Sequence, residues 1–102
     1  MSKQVNQRDA EHYITNRQEF TASALSGKME EFTPQFGRLD NEEVTRLIDA
    51  FNLDTRAYVV YSYGTPIALH NAGGWHLVGQ KFSMTTSKHQ NLVRRAANLL
   101  VV

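Results

Sequence analysis

Apolar residues recur along the chain with two different periods. From Asp40 the pattern is helical. Val44, Leu47, Ile48 and Phe51 fall at i, i+3, i+4 and i+7, one apolar stripe, while Glu42, Glu43, Arg46 and Asp49 fall largely on the other face. Asp40 followed three residues later by Glu43 has the form of a capping box, so a helix is predicted over Asn41–Phe51. The period then shortens to two. Tyr58-Val59-Val60-Tyr61-Ser62-Tyr63 is the densest run of β-formers in the chain. Gly64-Thr65-Pro66 interrupts it, and Ile67–His70 resumes it. Because proline cannot donate to a ladder, a bulge, bend or edge is expected there. Asn71-Ala72-Gly73-Gly74 reads as the turn of a hairpin into Trp75–Val78, and Lys81–Met84 as a further strand. The last element is a helix capped by Thr85 or Thr86. Leu92, Val93, Ala96, Leu99 and Leu100 form its buried stripe, and Lys88, Asn91, Arg95 and Asn98 lie on its opposite side, with Arg94 at the flank.

The first third of the chain is less regular. Residues 1–9 are polar and read as a flexible N-terminus, with one α+β domain over 10–102. Tyr13–Thr15 and Phe20–Leu25 read as short β pieces, with Ser26-Gly27 as a turn, and residues 28–38 as a loop pinned by aromatics. The expected fold is α+β: a small, hairpin-based antiparallel sheet of three to five strands, with a central helix and a C-terminal helix packed on it.

Composition narrows the function classes. Apolar residues make up 41% and charged residues 21%, ordinary globular usage, so a packed core is expected rather than disorder. There is no cysteine, which excludes a disulfide framework, a thiolate zinc site and a cysteine nucleophile. No apolar run approaches the length needed to span a bilayer, and no apolar h-region opens the chain, so a cytoplasmic protein without a membrane partner is the expectation.

Charge changes the picture more. The net charge of +1 conceals a marked asymmetry. Every carboxylate side chain lies between Asp9 and Asp54, where ten acids face six cations in residues 1–54; residues 55–102 hold Arg56, Lys81, Lys88, Arg94 and Arg95 and no acid. A field of one sign on part of a domain favours an anionic partner, either nucleic acid or an acidic protein surface.

Two segments carry a resemblance. At Tyr58-Val59-Val60-Tyr61-Ser62-Tyr63-Gly64-Thr65-Pro66-Ile67-Ala68, and again at Ser83-Met84-Thr85-Thr86-Ser87-Lys88-His89-Gln90, the chain resembles a family of small, functionally uncharacterised proteins encoded by actinobacterial phages and related prophages. Trp75 fits the strand between the two segments, and Phe20–Gly27 looks related, with an aromatic start and a Leu-x-Gly finish. Met29–Leu39 falls outside the pattern. The resemblance implies a phage setting, hence the host cytoplasm, and no catalytic residues.

Candidate chemistry clusters near the last helix. Thr85, Thr86, Ser87, Lys88 and His89 would gather hydroxyls, backbone N–H groups and positive charge at a helix N-terminus, an arrangement suited to phosphate or carboxylate. Lys81, Lys88, Arg94 and Arg95 would form a phosphate-contacting strip. Tyr61, Tyr63 and Trp75 would offer stacking or partner surfaces on an exposed sheet. Alternation places Tyr61 and Tyr63 on one face with Val59, and Tyr58, Val60 and Ser62 on the other. His70 and His76 flank the hairpin, but two histidines with no thiolate or nearby carboxylate make a poor metal set, and neither metal nor cofactor is expected. No nucleophile elbow, phosphate-binding loop or His-Glu-x-x-His stretch occurs, so an enzyme is not expected. Two readings follow: a phage accessory protein that binds nucleic acid through the basic terminal helix and its Thr/Ser-rich N-terminus, or a protein-binding module that inhibits or redirects a host or defence protein.

Overall fold

The computed structural model describes residues 3–31, 37, 39–53, 56–72, 74–80 and 82–97. The elements are β1 (Lys3–Gln4), α1 (Gln7–Thr15), β2 (Phe20–Thr21), β3 (Leu25–Glu30), α2 (Asn41–Leu53), β4 (Ala57–Ser62), β5 (Thr65–Asn71), β6 (Gly74–Leu77) and α3 (Met84–Ala96). Five antiparallel strands, β2 to β6, lie in sequence order, and β1 adds a short parallel edge against β2. This is the small α+β fold expected, with the helices divided between the two sheet faces. Ala10 and Ile14 of α1 and Val93 of α3 close one core with Phe20, Leu25, Tyr58, Val60 and Ile67. Leu47 and Ala50 of α2 close the other with Ala57, Val59, Leu69 and Val78. Strands β4 and β5 are therefore covered on both sides, which is why their sequences run nearly continuous in apolar residues.

Asp40 caps α2 as expected, its Oδ1 accepting from the Glu43 N–H at 3.0 Å, but the box does not close: the Asp40 N–H donates to Gln80 Oε1 at 2.8 Å and the Glu43 carboxylate turns to Arg46. At α3 the cap is Ser83 rather than a threonine, its Oγ accepting from the Thr86 N–H at 3.2 Å. The stretch read as a strand before it is not one. Phe82 and Ser83 are unpaired and Met84 already opens the helix, while Lys81 lies outside the described residues.

The central hairpin is tighter than its proline suggested. Ser62 pairs with Thr65, so Tyr63-Gly64 is a two-residue turn, and both residues have positive φ, 51° and 78°, as the twist of a two-residue hairpin favours. The register shifts between Val60 and Tyr61, which pair with Ala68 and Pro66. That bulge accommodates the proline and turns the consecutive residues Ile67 and Ala68 into the same core.

The N-terminal third departs most from expectation. Residues 13–15 end a helix instead of forming a strand, and β1 and the first turn of α1 fall within the residues read as a flexible N-terminus. Ala10 and Ile14, one turn apart and both fully buried, bind α1 to the sheet and override the β preference of Tyr13-Ile14-Thr15. The helix ends with paired backbone bonds, Gln18 N–H to Tyr13 O at 2.8 Å and Arg17 N–H to Ile14 O at 3.0 Å. This is a Schellman closure with Arg17 at φ 52° in the position that usually holds glycine. Left-handed backbone at a residue bearing a Cβ costs about 1–2 kcal/mol.

Ser26-Gly27, read as a turn, instead lies inside β3, opposite Tyr61 and Val60. The turn comes earlier, at Ala22–Ala24, where the Ala22 N–H reaches Leu25 O at 2.7 Å. Gly27 lacks a side chain because the Tyr58 ring occupies that space. A Cβ there would run into the Tyr58 hydroxyl and come within 2.7 Å of the Phe20 ring.

Candidate nucleic-acid interface

Helix α3 presents different chemistry on its two sides. Its inward side is polar at the N-terminal end. Ser62 Oγ, from β4, lies 2.7 Å from His89 Nδ1 and 3.2 Å from Thr86 Oγ1, and Ser83 Oγ lies 3.3 Å from Thr86 Oγ1. Ser62, Thr86 and His89 are each at most 5% exposed. A serine hydroxyl has one proton, so if Ser62 donates to Thr86 it accepts from a protonated His89 Nδ1. Burial holds the His89 imidazole below the usual histidine range. Thr86 and His89 therefore lock α3 onto β4; Thr86 does not belong to the outer anion-binding strip in which the sequence placed it, and His89 borders the outer groove only from its floor, 2% exposed. Thr85 and Lys88 are exposed and Ser87 is half-buried.

The outward side is cationic. Lys88 and Arg95 open, with His89, Asn91 and Leu92, onto one groove of about 300 Å³ along α3. Arg94 is half-buried at the flank. Arg95 is held from α1: its Nε and Nη2 donate to Glu11 Oε1 at 3.2 and 3.1 Å. Both partners of this bridge are well exposed, 52% and 39% at the side chain, so it is worth only about 0–1 kcal/mol. Glu11 is the one residue of this surface that the sequence reading missed. Its meeting with a residue 84 positions away leaves no local trace. The acids of α2 lie across the sheet from α3, where Glu43 pairs with Arg46 at 3.0 Å.

The three aromatic candidates are not brought together. Tyr61 is half-buried against the α2 core, and its hydroxyl donates to Glu30 Oε1 at 3.2 Å. Burial, and then the Glu30 carboxylate, push that phenol above the usual tyrosine range. Trp75 packs on the other core, edge-on to His70 and Tyr58 with ring centroids 5.0 and 6.4 Å away. Tyr63, at the hairpin tip, is 64% exposed, its ring 6.2 Å from that of His89. It borders a second cleft, of about 380 Å³, with Ser62, Thr65, Phe82, Ser83 and Thr86. Met84, the most exposed of the large apolar side chains described, stands beside Ser83.

His70 stands opposite Trp75 and His76 opposite Leu69, so the two imidazoles project from opposite sheet faces and do not face one another. Among the described residues no three His, Asp or Glu side chains gather in a way that could hold a metal ion. No helix among them is long and apolar enough to cross a membrane.

Neither the curated proteins nor the solved structures contain a match to this chain. The family comparison does: a model described as a family of unknown function, DUF8033, matches residues 8–98, nearly the whole described chain from α1 through α3, and the protein belongs to that family.

Proposed function

We propose that this is a small phage-encoded accessory protein that acts in the host cytoplasm and binds nucleic acid through the outward side of α3, by contacts to phosphates rather than to base edges. One observation carries the reading. Helix α3 holds Lys88, Arg94 and Arg95 and no carboxylate, and the sheet separates it from the acidic α2. Lys88 and Arg95 share a groove, which suits a backbone that passes along the helix. The Glu11 bridge is no obstacle, because a polyanion competes with it at little cost. The phage setting rests on the resemblance at Tyr58–Ala68 and Ser83–Gln90.

Binding to random duplex, measured by fluorescence anisotropy from about 50 to 200 mM salt, tests this. Log affinity should fall linearly with log salt, with a slope of about −0.9 per phosphate neutralised. Three cations then give a loss of roughly 40-fold over that range. K88Q, R94Q and R95Q should each flatten the slope by about 0.9. Glu11→Gln, which releases Arg95, should strengthen binding. Undetectable binding at the lowest salt, or a slope unchanged in the triple variant, overturns the reading.

A second reading is favoured by a different observation. Tyr63, 64% exposed, lines the cleft at the hairpin tip, and Met84, 81% exposed, follows the cleft residue Ser83 in the chain; exposed aromatic and methionine side chains are typical anchors for a protein partner. On this reading the protein inhibits or redirects a host or defence protein. Capture of one host protein that survives nuclease treatment and is lost with Y63S or M84S would favour it.

A further inference from the structure

A hollow of about 450 Å³ lies at the C-terminal end of α1, well within the size of small-molecule sites. Asn16, Arg17, Met29, Arg56, Tyr58 and His70 line it. Its cationic groups come from three separate segments: Arg17 just past α1, Arg56 ahead of β4, and His70 within β5. No carboxylate is among its described lining residues. Glu19, the acid nearest Tyr58, is engaged with the Met29 backbone, whose N–H it accepts at 2.9 Å. The Tyr58 hydroxyl is likewise committed, donating to Gln18 O at 2.8 Å.

Two observations point to an anion here. The first is Arg17 itself. It occupies the left-handed position of the α1 closure, where glycine is the unstrained choice. Its Nη1 donates to Thr15 O at 3.3 Å, a bond that uses one of the five donors of the guanidinium fork. An arginine kept in a glycine position points to a role for its side chain. The second is the surroundings of His70. Burial first, and then the charges of Arg17 and His76, hold its imidazole below the usual range, so Arg17 stands close enough to His70 for one anion to meet both. Trp75 packs edge-on against the same ring and fixes it.

We propose that this hollow binds the dianionic phosphate group of a small molecule, with the Arg17 and Arg56 guanidiniums donating to its oxygens and His70 supplying a third donor. Paired guanidiniums suit such an oxyanion because their forked donors match its geometry. The site is distinct from the groove on α3 and does not depend on that assignment. A bound dianion stabilises the imidazolium and therefore raises the His70 pKa. By linkage, the anion binds more tightly as the pH falls through that pKa.

The test is an NMR titration of the histidine ring resonances with sodium sulfate, whose charge is constant from about pH 5 to 8, repeated with inorganic phosphate at pH 8. Wild type should show a saturable shift at His70, with His70 titrating at higher pH when sulfate is bound. Arg17→Gly relieves the backbone and should fold at least as well as wild type, yet bind sulfate about tenfold more weakly. Arg17→Asn, also tolerated in left-handed backbone, should do the same. Duplex binding by α3 should be unchanged in both. His70 resonances indifferent to sulfate and phosphate, or R17G and R17N binding sulfate as wild type does, would overturn the proposal. Weakened duplex binding in R17G without sulfate binding in wild type would also overturn it, assigning Arg17 to the nucleic-acid surface.

Discussion

Replacing Gly27 by alanine isolates one packing decision in the fold. In an unobstructed strand the change stabilises, by about 0.5–1 kcal/mol, because alanine has less backbone entropy to lose. In β3 the added methyl meets the Tyr58 hydroxyl and the Phe20 ring. Phe20 and Tyr58 are both fully buried, and the Tyr58 hydroxyl is the atom the methyl approaches most closely, so that ring must shift against its packing. Moving it breaks the bond of its hydroxyl to Gln18 O at 2.8 Å, a loss of about 0.5–1.5 kcal/mol, and overpacks the core for about 1–3 kcal/mol more. The net expectation is a destabilisation of about 2–3 kcal/mol, against a total of about 5–15 kcal/mol for a domain of this size. The melting temperature should fall by roughly 10–20 °C. Trp75, the single tryptophan, stands 6.4 Å from the Tyr58 ring, so its emission reports both urea unfolding and any displacement of that ring. Removing the hydroxyl with Tyr58→Phe should lower the cost of Gly27→Ala by about 1 kcal/mol in a double-mutant cycle. If G27A unfolds at the same urea concentration as wild type, or at a higher one, the close approach of Tyr58 does not determine the residue at 27.

Two further outcomes follow from the strain and the burial around α3. Tyr63→Gly removes a bulky residue from φ 51° and should raise stability by about 1 kcal/mol in the same urea assay; a loss of stability would show that the contact with His89 outweighs the strain. His89 is held below its unfolded pKa of 6.5, so the unfolded chain binds its proton first, and stability should be full above that pH and decline as the pH falls below it. His70, lowered by burial and by Arg17 and His76, contributes with the same sign. His89→Gln should reduce the slope of stability against pH between about pH 7 and 5, and an unchanged slope would mean that His89 is not the titrating group.

Helix α2 was legible because its stripe, its cap and its acidic first turn agree, and the hairpins because β-formers are punctuated by Gly64 and by the Asn71–Gly74 turn. Helix α1 was not, since Ala10 and Ile14 are the fully buried positions among its described side chains and tertiary packing supplies what local preference lacks. Gly27 misled in the same way: the residue that fills its space is Tyr58, on another strand. At the candidate interface, spacing correctly set Lys88 and Arg95 outward. It could not show that Thr86 and His89 turn inward, because their partner Ser62 comes from β4. The pairing of Glu11 with Arg95 likewise depends on α1 and α3 lying side by side.

The placement of the helices has an electrostatic corollary. With Lys88, Arg94 and Arg95 of α3 on one side of the sheet and Glu42, Glu43 and Asp49 of α2 on the other, these two helices contribute a dipole directed across the sheet. Approach to a polyelectrolyte strand would be pre-oriented, and each docked copy would turn its α2 surface away from the strand. A strand coated in this way would bear a negative exterior and so discourage a second layer of the same protein.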